Sequence, residues 1–127
     1  MIVDASVIVA SVGNPASAGT IAGQDLTAPD LVIPETLNAF WKLRRVGRTL
    51  PDRAEVFRLL DQIRIVRSRP HAARADELAE ALDHPVYDCL YLALAEAEGD
   101  VLITADAAFE RKARTRGFRK RVRLVSL

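Results

Sequence analysis

The chain has 127 residues, of which 50% are apolar and 28% charged, the length of one domain with enough apolar material for one core. This excludes a disordered or low-complexity protein; a lone cysteine excludes a disulfide scaffold, and two histidines cannot build a zinc site without carboxylate help. The net charge of +1 conceals segregation: residues 1–40 and 75–109 hold four and nine acids with no Lys or Arg, whereas 41–74 and 110–127 hold ten and eight bases.

The expected elements alternate. "MIVDASVIV" opens as a buried parallel strand, broken where Asp4 and Ser6 interrupt it, and turns into a helix. Residues 13–28 are rich in Gly, Ala and Ser and weakly helical at best. A second strand is expected over 30–34, stopped by Pro34, and a helix from Pro34 to about Val46, closed by Gly47. Residues 52–61 read as a helix, 63–66 as a strand, and 70–82 as an amphipathic helix. Pro85 restarts the chain in helix to about Glu98, with Gly99 as terminator. A strand and its exit loop over 100–106, a charged helix ended by Gly117 and an edge strand over 122–127 complete the chain. Strands alternating with helices predict an α/β domain with a mainly parallel five-stranded sheet, spanning residues 1–127 without linker or repeat.

Four acids occupy places where acids are structurally awkward. Asp4 interrupts a core strand, Glu35 opens the helix after the second strand, and Asp106 follows the fourth strand. Asp88 is the only charge in "VYDCLYLALA", with no nearby Lys or Arg to pair with it. In a parallel sheet the first three fall at the carboxyl ends of strands, where open α/β folds place their sites. Singly, each also reads as a cap or first-turn acid. Together they suit a hard divalent cation, Mg²⁺ or Mn²⁺, which would relieve their repulsion and activate water for phosphodiester hydrolysis. Ser6 and Thr104 are close enough in sequence to hold a water or a carboxylate, or to serve as turn and strand-end residues. His71 and His84 each open a helix beside a proline and read as capping or surface residues. No histidine is expected near the acids, so products with 5′-phosphate and 3′-hydroxyl ends are expected rather than a cyclic phosphate.

"MIVDASVIVA", "PETLNAFWKLRR" and "HPVYDCLYLALAEAEGDVLITADAAFERKA" together resemble the PIN domain, and among PIN domains the VapC-type toxins of toxin–antitoxin pairs. The resemblance implies a three-layer α/β/α fold and a metal-dependent endoribonuclease. It places the family's acids on Asp4, Glu35, Asp88 and Asp106, as catalytic residues and metal ligands, and its small hydroxyls on Ser6 and Thr104. It further implies a homodimer and an antitoxin whose segment lies over the active-site groove, in part over Trp41. Arg44, Arg45 and Arg48, following Glu35 on one helix and its exit, are the expected RNA-binding residues. An exposed apolar patch including Leu37, Phe40, Trp41 and Leu43 is expected to carry partners. Absence of any membrane-length apolar run and of a basic n-region leads to an expected cytoplasmic location without membrane association. The competing readings are a binding module that keeps the fold without chemistry, and a DNA-directed metal nuclease or phosphatase. Four intact acids disfavour the first, and the lack of long insertions or a cap disfavours the others.

Overall fold

The computed structural model describes residues 1–14, 19 and 21–125. Strand β1 (Ile2–Val3) leads through Asp4 into α1 (Ala5–Gly13), which buries Val7, Ile8 and Ser11 at helical spacing. Strand β2 (Leu26–Pro29) is followed by α2 (Val32–Arg45) and α3 (Arg53–Asp61), the latter capped by the Asp52 carboxylate. Strand β3 (Ile63–Val66), a short 3₁₀ turn, α4 (Ala72–Leu82) and α5 (Val86–Glu98) come next. The chain ends with β4 (Leu102–Thr104), α6 (Ala107–Ala113), a π-type turn and β5 (Val122–Leu124).

All strand pairings are parallel, in the order β3-β2-β1-β4-β5, and the helices complete three α/β/α layers. The central strands are buried on both faces: Ile2, Val3, Ala28 and Leu102 have no exposed surface. α5 packs on β1, β2 and β4 and against α4, so five successive residues, Tyr91 to Ala95, are buried. α1 packs against α2 and α3.

Two expectations are corrected here. The second strand lies at Leu26–Pro29, not 30–34, and α2 begins at Val32. Val32, Thr36 and Phe40 recur every four residues and are all buried, a helical stripe whose first member extends the helix backwards. Pro34 stays inside the first turn, where its missing N–H costs nothing. Phe40, expected on the surface patch, is 2% exposed because it ends that stripe, whereas Trp41 is 48% exposed. β5 ends at Leu124; residues 126 and 127 of the expected edge strand, and 15–18 and 20 of the weakly helical segment, lie outside the described residues.

Candidate active site

The strand order has one reversal. From β1 the chain moves outward to β2 and β3, then returns to the other side of β1 for β4 and β5. β1 and β4 are therefore neighbours whose following helices diverge, leaving a crevice at their carboxyl ends. Asp4 and Asp106 leave these two strands as the N-caps of α1 and α6: the Asp4 carboxylate accepts from the Val7 N–H at 3.2 Å and that of Asp106 from the Phe109 N–H at 3.0 Å. Each acid is at once a helix cap and a wall of the crevice.

A cavity of about 600 Å³ fills the crevice, lined among others by Asp4, Ser6, Glu35, Asp88 and Asp106. Glu35 arrives from the first turn of α2 and Asp88 from the first turn of α5, so the four acids from four helix starts face one space. Asn38 and Lys42, one and two turns beyond Glu35, extend the lining along α2.

Two hydroxyls join the walls. Ser6 Oγ donates to Asp4 Oδ1 at 2.5 Å and accepts from the Ala105 N–H at 3.0 Å. Thr104, wholly buried, hydrogen-bonds the Asp4 carboxylate and accepts from the Asp106 N–H at 3.1 Å. Both side chains thus tie the β1–α1 junction to the β4–α6 junction. Despite these donors, burial pushes the Asp4 carboxyl up to about 6, with the Asp88 charge adding to the rise. Burial also raises Glu35, against the Tyr91 hydroxyl that donates to it at 2.5 Å. The Tyr91 phenol is itself raised, by burial and then by its bond to Glu35.

Oxygen donors on a rigid frame, with two carboxyls held above their ordinary range by burial and crowding, match a hard divalent cation. All four acids line the cavity, and among the described residues ligand-type atoms of Asp88, Asp106 and His84 lie close enough together to share one ion.

Asp88 is half-buried, not enclosed, and it has a partner: His84 Nε2 lies 2.5 Å from its Oδ2. His84 is 9% exposed, which corrects the reading of it as a surface residue and the expectation that no histidine lies near the acids. The available signal was the spacing of four between His84 and Asp88, which stacks them on one side of a helix start. Tyr91 reaches Glu35 across 56 residues, a contact that no local spacing signals. His71 occupies the N-cap position of α4 without a capping hydrogen bond.

The arginines fall elsewhere. Arg44 lines a groove with Leu37, Phe40, Arg53, Val56 and Phe57; Arg45 lies over the Trp41 ring, 5.1 Å from its centroid; Arg48 lines a neighbouring cavity that shares Val9 and Ala10 with the acidic one. None of the three lines the acidic cavity itself.

Residues 1–115 match the PIN domain family. Among solved structures the chain is similar to the crystal structure of PAE2754 from Pyrobaculum aerophilum, with 27% identity and a TM-score of 0.72, covering 87% of this chain and 82% of that one. No curated protein matches the chain.

Proposed function

The chain belongs to the PIN domain family, whose fold is that of metal-dependent nucleases, and from that premise we propose that it is a VapC-type endoribonuclease, the toxin of a type II toxin–antitoxin pair. The observation that carries the reading is the convergence of Asp4, Glu35, Asp88 and Asp106 on one cavity at the sheet's switch point. A binding-only module would gain nothing from crowded, partly buried carboxylates, which cost stability unless a cation offsets them. When bound, Mg²⁺, or Mn²⁺ in its place, supplies the positive charge that activates water and offsets the charge on a phosphodiester.

The chain's own residues set the geometry. Ser6 and Thr104 fix the Asp4 carboxylate, and Tyr91 fixes Glu35. Lys42, on the wall of the cavity, meets the phosphate backbone of an entering strand, and Arg44, Arg45 and Arg48 grip the strand beyond it. Exposed Trp41 beneath the Arg45 guanidinium suits a base of single-stranded RNA, which stacks where a duplex cannot. The Arg-rimmed apolar groove between α2 and α3, about 250 Å³, suits an amphipathic antitoxin helix, and exposed Val86, Tyr87 and Leu124 suit a homodimer contact.

Induced expression in bacterial cells tests the toxin role. The wild-type chain should arrest growth and leave RNA fragments with 5′-phosphate ends, while D106N should do neither. Equal arrest by D106N, or arrest with intact RNA, would contradict the proposal.

A further inference from the structure

His84 does not line the acidic cavity, yet it is pinned from every side. Its amide donates to the Ala79 carbonyl at 3.1 Å, and Asp83 before it ends α4 in the left-handed conformation, φ 49°. The Asp83 carbonyl accepts from Lys112 Nζ on α6 at 2.5 Å. The imidazole packs on the Phe109 ring with centroids 4.7 Å apart, and the Phe109 N–H is the one that caps onto the Asp106 carboxylate. The two ring nitrogens face opposite kinds of group: Nε2 is 2.5 Å from Asp88 Oδ2 and Nδ1 is 3.5 Å from Lys112 Nζ. An ammonium only donates, so Nδ1 is its acceptor and the hydrogen-bond pattern assigns the proton of a neutral ring to Nε2, facing Asp88.

We propose that His84 is a positioning residue of the candidate cation site: its Nε2–H holds Asp88 Oδ2, leaving the second carboxylate oxygen for the cavity that Asp88 lines, while Lys112 fixes the tautomer. The inference rests on the functional reading above, in which Asp88 helps hold a cation. Ligand-type atoms of His84, Asp88 and Asp106 lie within 4.8 Å of one another, so the imidazole adjoins the site. Nε2 is already engaged by a carboxylate oxygen, which favours a supporting role over direct ligation. Partners of this kind orient metal-binding carboxylates, and losing one typically weakens metal binding by about 10- to 100-fold.

Calorimetric titration with Mn²⁺ at one pH, with melting temperatures alongside, tests this in four proteins. H84F keeps an aromatic ring against Phe109 and removes the donor; it should weaken Mn²⁺ at least about 10-fold while the fold melts normally. H84Q places an amide donor near the Nε2 position and should bind within a few fold of wild type. K112M removes a positive charge near a cation site, which by itself would tighten Mn²⁺; weaker binding therefore reports the loss of the hold that Lys112 keeps on His84, through Nδ1 and the Asp83 carbonyl, and it is the deciding variant should H84F not fold. Unchanged affinity in H84F, or unchanged or tighter binding in K112M, would overturn the inference and leave the functional reading standing. H84Q falling as far as H84F would make the imidazole itself a ligand and equally overturn it. Absence of Mn²⁺ binding by the wild-type chain would remove both readings together.

Discussion

Asp4 carries most of the tension in the site. Its carboxylate accepts from Ser6, Thr104 and the Val7 N–H, yet burial still lifts it to about 6 from the 3.8 of a free side chain. Between those values the folded chain keeps a proton that the unfolded chain gives up, so without divalent ions stability should fall as pH rises through that window. The full difference is at most about 3 kcal/mol above pH 6. Glu35, raised by burial, contributes in the same direction. Urea unfolding in chelator between pH 4 and 8 should show this decline in wild type and a flatter profile in D4N; stability that rises with pH over this range in wild type would contradict it. Millimolar Mn²⁺ at pH 7.5 should raise the melting temperature of wild type more than that of D4N, by mass action on the folded state. The four acids were legible in sequence because each interrupts or follows an apolar element. Ser6 and Thr104 were legible as their neighbours in sequence, but the contacts made across the fold were not: Tyr91 meets Glu35 across 56 residues, and Ser6 meets Ala105 across 99.

Among the elements, α5 was legible from end to end, since Pro85 and Gly99 bound it and its apolar run admits one charge. Gly99 sits at φ 64° in the left-handed region and an added Cβ would meet nothing within 4 Å. G99A should therefore cost about 1–2 kcal/mol through backbone conformation alone, read as a lower urea midpoint with unchanged slope. No loss of stability would mean the turn relaxes freely. β2 was the element read wrongly. Leu31, Val32 and Ile33 form the most apolar run of that stretch, but it straddles the entry to α2, whereas the strand itself contains Thr27 and ends in a proline. Pairing decides it: Leu26 to Pro29 register with Ile63 to Val66, and Arg64 Nε donates to Thr27 Oγ1 at 3.3 Å. Neither the partner strand nor the arginine is visible from local hydrophobicity.

Across the whole molecule, three arginines of the basic blocks pair with acids. Arg74 of α4 clasps Glu96 of α5 with two hydrogen bonds at 2.8 and 3.0 Å, Arg64 pairs with Glu98, and Arg114 with Glu110. These pairs show part of the basic and acidic blocks serving the fold rather than the cavity. The cations of α2 lead away from it: Lys42 lines both the acidic cavity and the shallow one shared with Trp41 and Arg45. From Glu35 to Arg45 the helix rises about 15 Å along that path. R44Q together with R45Q should weaken single-stranded RNA binding and lower the salt slope by up to about 0.7 for each phosphate that an arginine no longer neutralises; an unchanged slope with intact fold would place these arginines outside the RNA path. The central claim, that the four-carboxylate cavity hydrolyses RNA with a divalent cation, is tested most directly by end-group analysis of a random-sequence single-stranded RNA pool. Cleavage should require Mg²⁺ or Mn²⁺, stop in chelator, fall at least about a hundredfold in D4N and D106N, and leave 5′-phosphate and 3′-hydroxyl ends. Cleavage that persists in chelator, or products ending in a 2′,3′-cyclic phosphate, would contradict it.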